Sequence, residues 1–470
     1  MPAPVISVAQ MREWEAATWA TGRAATDVIR QAGQAVAAVA RQLTHPQDRV
    51  LILAGKGHNG DDARLAGEQL VERRVEVLSV VDPIAGRREL SQQLSRRPAL
   101  IIDGLFGIGL NRPLSSDWIQ FIDELNQAWA PILSVDVPSG LNADNGESFG
   151  AVVRASLTVA LGAPKRGLLG CRATDRVGRL VVAPDIGLAP CAQTSDWMWT
   201  LAEDFGDCPP TRSVVAHKGV FGHVVIFAGS LGYHGAAVLA ARGALRARPG
   251  LVSVVTQENV YSPVAAQLQA AMVHPWRPDF QLPESTTAMV MGPGLAAADL
   301  PEKFRFGLFR LWQESLLPIL ADASALDWLP TAPAPLGSLR VVTPHPGEAA
   351  RMLRRTVAEV QEDRVQAVRT LSRLRGGSWV VLKGHQTLVG RAEGPVFINS
   401  TGNPGLAQGG SGDVLAGYLG GLLAQAAWQA DPLKAIRYGV WRHGAAADRL
   451  ESRGRHWTLE DLLREFGDGA

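Results

Sequence analysis

Residues 49–62 read RVLILAGKGHNGDD, an apolar run that stops at three glycines, an imidazole, an amide and two adjacent acids. Such a run reads as a strand entering a glycine-rich turn. The helical spacing of ARLAGEQLVERR, from residue 63, carries the turn on into a helix. The first N–H groups of that helix have no internal partners, and its dipole favours negative charge, so an anion could sit there. Two phosphate motifs can be tested against the stretch. It contains no G-x-x-x-x-G-K-[ST], but Gly55, Gly57 and Gly60 spell G-x-G-x-x-G, with Asp82 placed as a ribose-binding acid would be. Asp61 and Asp62 argue against it, because they would repel a pyrophosphate at the helix start. Read alone, the stretch fits an ordinary tight turn as well as a ligand site.

The same grammar recurs outward from it. VEVLSVVDP, ALIIDGLFG and APILSVDVPSG are further apolar runs that end in Gly, Asp or Pro with helical segments between them. That alternation predicts a parallel sheet covered by helices, with ligand groups at the carboxyl ends of its strands. From about residue 220 a second series begins: GHVVIFAGS, GLVSVVTQ, AMVMGPG, LRVVTPHPG and SWVVLKG. Between the two series, residues 190–213 lack periodicity and carry a Pro pair, which places a boundary near residue 208. The expectation is an α/β chain of two three-layer αβα domains, 1–207 and 211–470.

The 470 residues carry 46 basic and 45 acidic side chains, a net charge of +1 that gives no electrostatic reason to expect nucleic acid. The N-terminal MPAPVISVAQMREWEAATWA lacks the basic-then-apolar order of a signal peptide, and no apolar stretch is long enough to span a bilayer. Cys171, Cys191 and Cys208 have no C-x-x-C spacing, as expected of a reducing compartment. These features predict a cytoplasmic protein without a membrane partner; small-molecule substrates and a homo-oligomer are separate expectations that composition does not supply.

In the first half, polar residues stand at successive strand ends: Asn59 and Asp62, then Asp103, then Asp136 and Ser139. A single Asp after a strand is usually a helix cap or turn residue. Several at the ends of parallel strands would converge. In the second half, NPGLAQGGSGDVLAG (403–417) lets the backbone approach an anion at Gly409, Gly410 and Gly412, and a helix starts near Asp413. Amides aimed at one point could stabilise a transferring phosphoryl group, and Asp413 could accept a proton from a substrate hydroxyl. The plain alternative is an N-cap aspartate behind a flexible loop.

GKGHNGDD, DGLFGIGLNRP, DVPSGLNAD and APKRGLL, in that order, resemble the NAD(P)HX epimerase domain, a Rossmann-like fold, over roughly residues 5–207. The usual first motif there is closer to NNGGDG. His58 stands for an Asn, and Asp61 and Ala63 each stand for a Gly. If Asp61 needed a glycine backbone shape it would cost about 1 kcal/mol. The resemblance implies potassium held by Asn59, Asp103 and Ser139. It implies substrate contacts from His58, Asn59, Gly60, Asp61 and Asp62, from Gly107, Ile108, Gly109, Leu110, Asn111, Arg112 and Pro113, and from Asp136, which would handle a proton or grip the ribose or the hydrated ring. Oxygen donors suit a hard cation.

The run at 403–417 resembles the anion hole and catalytic Asp of the ribokinase-like superfamily. With residues 217–256, MGPGL, TPHPGE and VLKGHQT it resembles the ADP-dependent NAD(P)HX dehydratase over about residues 211–465. That resemblance implies that Ala236, Gly294 and His345 contact the hydrated dinucleotide. Lys383, Gly384, His385, Gln386, Thr387 and Gly412 would hold the adenine nucleotide, with Mg2+ accompanying ADP, and Asp413 would face the substrate as the catalytic base. His345 in P-H-P also reads as a packed turn histidine, and Lys383 as a strand cap. Arg248 and Pro249 replace the Gly-Ala pair usual in the family.

Together the two resemblances imply repair of NADH or NADPH that has added water at ring carbon 6. Phosphorylation would turn a poor leaving group, hydroxide, into a good one, after which the ring nitrogen expels phosphate. Such a site accepts one configuration, the S form, and gives NAD(P)H, AMP and phosphate, while a neighbouring epimerase converts the R form. A small-molecule kinase fused to a regulatory domain is the main alternative. A kinase would release a stable phosphoester, and the dehydratase inorganic phosphate. A non-catalytic binding protein, with Trp14 and Trp19 exposed on a helix, is a third reading.

Overall fold

The computed structural model describes residues 1–330, 335, 337–454 and 456–466. The last residues of the expected second domain, 467–470, lie outside the described residues. The chain divides into two compact units, one of Ala3–Asp196 and one from Trp197 onward that also takes Met1–Pro2.

The first unit is built on six parallel strands: β1 (Arg49–Ala54), β2 (Arg74–Ser79), β3 (Leu100–Gly104), β4 (Ile132–Val135), β5 (Leu157–Leu161) and β6 (Arg179–Ala183). Their order across the sheet is β2-β1-β3-β4-β5-β6. Period-two alternation divides β1 between two cores. Val50, Ile52 and Ala54 pack with Val36 and Ala37 of helix α1 (Ala25–Gln42) and Ala63 and Ala66 of helix α2 (His58–Gln69). Leu51 and Leu53 pack on the opposite face with Leu90, Phe121 and Leu125. Helices on both faces make three layers. The chain leaves β1 towards β2 and then returns across it to β3, so a topological switch point lies between β1 and β3. GKGHNGDD and DGLFGIGLNRP follow these two strands, where ligands of open parallel sheets bind.

The second unit holds β7 (Trp197–Trp199), β8 (His223–Phe227), β9 (Leu251–Thr256), β10 (Met272–Pro275), β11 (Ala288–Met291), β12 (Ile319–Ala321), β13 (Arg340–Val342), β14 (Trp379–Leu382), β15 (Leu388–Gly390) and β16 (Val396–Ile398). They lie in the order β7-β16-β15-β14-β13-β12-β11-β8-β9-β10. Pairing is parallel except on both sides of β15. Helix α3 (His234–Arg246) packs on helix α4 (Ser411–Leu423) so tightly that a Cβ on Gly417 would lie 1.8 Å from the Ala240 carbonyl oxygen.

The boundary expected near residue 208 lies inside this second unit. Trp197–Trp199 extends its sheet beside Val396–Ile398, Phe205 packs on Tyr438, and Asp204 pairs with the partly buried Arg437. Aperiodic sequence hid a strand whose partners lie two hundred residues away. Trp14 is buried, its Nε1 donating to the Ala189 carbonyl at 2.8 Å, which removes it from any exposed helix face. No described helix is long and apolar enough to cross a membrane.

Arg248, in place of the family's glycine, has φ +61° and so holds a left-handed backbone at a cost of roughly 1 kcal/mol. Arg248→Gly is therefore expected to raise the melting temperature slightly. A drop in melting temperature would count against this account.

Candidate functional site

A cavity of about 740 Å³ opens at the switch point of the first unit. Its wall includes His58, Asn59 and Asp62 from the start of α2, the run Gly107, Ile108, Gly109, Leu110, Asn111 and Arg112 after β3, and Asp136 after β4. Gly60, Asp61 and Pro113 do not line it. Gly60 sits under the turn, where a Cβ would come within 2.2 Å of the Gly55 carbonyl oxygen. The G-x-G-x-x-G spacing thus reflects close packing of the turn. Asp82 caps the helix Pro83–Ser95 by accepting from Ile84 N at 3.1 Å, and it does not line the cavity. Asp61 takes ordinary helical backbone and pairs with Arg64 at 2.9 Å, so the glycine it replaces leaves no strain. The Ala63 methyl packs towards Gly104.

Asp136 has φ +63°, a left-handed conformation uncommon outside glycine. It aims Oδ1 at two donors, the Leu161 N–H at 3.0 Å and the Lys165 ammonium at 2.5 Å. Lys165 is fully buried and also donates to the Leu161 carbonyl at 2.9 Å. It comes from APKRGLL, a motif quoted above with no role given to its lysine. Glu15, another wall residue, had no signal in the sequence, being one acid among several on a helix. Burial raises the Glu15 carboxyl, with Asp136 adding to the rise. Burial, with Asp136, Asp61 and Glu15 nearby, pushes Asp62 up to about 8.

Asn59, Asp103 and Ser139 meet around the Leu105–Phe106 peptide. Asn59 Nδ2 donates to the Phe106 carbonyl at 3.0 Å, and Ser139 Oγ accepts from Phe106 N at 2.8 Å. The fully buried Asp103 accepts from Ser139 Oγ (2.6 Å), Ser139 N (3.0 Å), Ser134 Oγ (2.9 Å) and Leu105 N (3.3 Å). Burial nevertheless raises its carboxyl.

In the second unit the expected residues again gather at strand ends. Ala236, in the first turn of α3, faces Gly294 after β11, where an added Cβ would come 2.8 Å from the Ala236 methyl. Asp413 lies in the first turn of α4 behind Gly410, the N-cap with φ +99°. Beside it, Lys383 Nζ binds Asp322 Oδ1 at 2.7 Å and lies 3.9 Å from Glu348 Oε2. Gly412 keeps the approach open, since a Cβ there would sit 3.2 Å from Lys383 Nζ. Burial and the Asp322 carboxylate push Asp413 up to about 7, with Lys383 opposing them. For Lys383 burial pulls downward, but Asp322, Glu348 and Asp413 prevail and its ammonium form is favoured.

His345 caps the helix Pro346–Leu353: its Nδ1 accepts from Gly347 N at 3.0 Å, while Glu348 reaches back to His345 N at 2.8 Å. Its half-exposed ring borders the Glu348 carboxylate at 3.6 Å. The loop 383–387 is held by Arg364, whose guanidinium donates to the carbonyls of Leu382, Lys383, His385 and Gln386. Asp322, Glu348 and Arg364 were missed in the sequence. Asp322 follows a three-residue strand too short to read, and Arg364 acts across the fold through its side chain alone.

Comparison with known proteins extends over both units. The family described as NAD(P)H-hydrate dehydratase matches residues 224–466, and that described as YjeF-related protein N-terminus matches 25–96 and 81–167. The chain is 35% identical to the bifunctional NAD(P)H-hydrate repair enzyme of Gloeobacter violaceus, covering 96% of this chain and 94% of that one. It is 34% identical to the Escherichia coli enzyme of the same description, over 91% and 85%. Among solved structures, a ribokinase-like superfamily protein from Enterococcus faecalis is similar in fold at 23% identity, with a TM-score of 0.51 over 58% of this chain and 95% of its own. An ADP/ATP-dependent NAD(P)H-hydrate dehydratase from Bacillus subtilis, co-crystallised with ATP and Mg2+, is 32% identical over 55% of this chain and 92% of its own, with a TM-score of 0.48.

Proposed function

The chain belongs to the family of bifunctional NAD(P)H-hydrate repair enzymes, epimerase and dehydratase in one polypeptide, and from that premise we propose how its two sites divide the work. The first unit interconverts the R and S forms at carbon 6 in the cavity walled by Asp136. The second dehydrates the S form at the expense of ADP, with Asp413 taking the proton of the ring hydroxyl as it attacks the phosphoryl group. The observation that carries the second assignment is the placement of Asp413. A carboxyl near 7 stands at the mouth of a glycine-flanked helix N-terminus, with the Lys383 ammonium alongside. A base poised near neutrality beside an anion site is the arrangement that phosphoryl transfer to an alcohol requires.

Lys383 would meet the nucleotide phosphates, and Arg364 would keep residues 383–387 in place around the nucleotide. Asp322 and Glu348 offer the carboxylate oxygens that suit magnesium. When bound, that ion would neutralise charge on the transferred group. Full-length protein given both epimers and either ADP or ATP tests the reading. NADH should return with release of inorganic phosphate, both epimers should be consumed, and ADP should be the faster donor. A stable phosphoester would favour the kinase reading instead.

For potassium, the donor chemistry at Asn59, Asp103 and Ser139 fits. Asp103 is a completely buried carboxylate with amide and hydroxyl donors but no cationic side chain bonded to it among the described residues. A monovalent cation would offset that charge. Asp103→Asn is expected to blunt the potassium dependence of epimerisation and leave dehydration of the S form alone. Epimerisation by the unaltered protein should slow when a bulky organic cation replaces potassium. Epimerisation rates measured across potassium concentrations check both, and a flat response in the unaltered protein would remove the ion from this site.

A further inference from the structure

Resting on the reading of the first cavity as the epimerase site, we infer that Asp62 is the general acid of epimerisation and gives its proton to the hydroxyl leaving ring carbon 6. Three acids line this cavity, Glu15, Asp62 and Asp136. The buried ammonium among them, Lys165, is bonded to Asp136. Asp62 is only 7% exposed, yet among the described residues its carboxyl has neither hydrogen bond nor ion pair. It lies on α2, one turn after Asn59, and lines the cavity.

The groups that face it are mostly of its own sign: Asp136, Asp61 and Glu15, against Lys165, with His58 and Arg12 further out around Glu15. Two carboxyls in one cavity are thus set to opposite tasks by their partners. Asp136 is the acceptor of an ammonium and an amide, and Asp62 keeps its proton at neutral pH because burial and like charge resist ionisation.

The step balances. Asp62 protonates the carbon 6 hydroxyl, the C–O bond breaks with its electron pair leaving on oxygen as water, and the lone pair of the ring nitrogen forms the N1=C6 double bond. Water then adds to carbon 6 from the opposite face, giving the second pair back to nitrogen and a proton to Asp136. Solvent entering past the exposed Lys56 and Arg112 returns a proton to Asp62 and removes one from Asp136. One water leaves and one enters, with no net gain of protons.

The test compares Asp62→Asn, Asp62→Glu and Asp136→Asn in the full chain, measuring kcat and KM of epimer interconversion from about pH 6 to 9. Dehydration of the S form and melting temperature report folding. For the unaltered protein, kcat should fall as pH rises through about 8, where Asp62 loses its proton. Asp62→Asn should lower kcat by about 100-fold, leave KM within a few-fold and abolish that alkaline fall, and Asp62→Glu should restore part of the rate. An Asp62→Asn protein whose kcat stays within threefold, whose loss lies in KM, or whose alkaline fall persists would overturn the inference. If Asp136→Asn also interconverts the epimers normally, the reading of the cavity itself fails. If only Asp136→Asn is impaired, the role of Asp62 alone fails.

Discussion

Asp413→Asn should lower nucleotide-dependent dehydration by about 100-fold or more, the usual contribution of a positioned base, while epimer interconversion proceeds at its normal rate. Asparagine keeps the volume at the start of α4 and removes the capacity to take a proton. Burial and Asp322 hold the folded carboxyl near 7, well above its unfolded value. The active, ionised form is therefore scarce below pH 7, and kcat/KM for dehydration should rise about tenfold per unit as pH climbs towards 7 and then level. The linkage runs the other way for stability. A group whose pKa is raised on folding stabilises the protein while protonated and loses that contribution as pH rises from its unfolded value through 7. Asp413→Asn should thus melt no lower than the unaltered protein at pH 8, so lost activity cannot be laid to unfolding. Dehydration that survives within a few-fold, or a pH profile unchanged by the substitution, would take Asp413 out of the mechanism.

What could be read in the sequence, and what could not, follows from how far each interaction reaches along the chain. Arg49–Ala54 and His223–Phe227 are central strands buried on both faces, so they stand out as unbroken apolar runs ended by glycine. Ile319–Ala321, Leu388–Gly390 and Val396–Ile398 are three residues each, below the length at which a periodic pattern can form, and Trp197–Trp199 lies in a stretch that reads as linker. The site divides in the same way. Asp103, Asp136 and Asp413 are legible because strand-end acids and a glycine-flanked helix start are local features. Lys165 is not, because its whole role lies in reaching Asp136 across 29 positions of sequence.

That pairing sets the second large effect. Lys165→Met should lower epimerisation steeply, on the order of 100-fold, and should also destabilise the first unit by about 3–5 kcal/mol, the range for stranding one member of a buried ion pair. Lys165 is completely buried, and its two bonds hold Asp136 and the Leu161 carbonyl in a fixed relation. Methionine fills the space of the stem but offers Asp136 no proton donor, and the left-handed backbone at Asp136 then has one less contact holding it in place. The double variant Asp136→Asn with Lys165→Met separates the two consequences. With neither charge left in the interior, much of the lost stability should return, since a buried pair replaced whole costs far less than one broken in half. Epimerisation should stay low, because Asp136 itself lines the proposed epimerase cavity. Thermal melts of the single and double variants, set beside epimer interconversion and dehydration rates, supply the cycle. Additive stability losses in the double variant would mean that Lys165 and Asp136 act independently, and the 2.5 Å contact would then not be what orients Asp136.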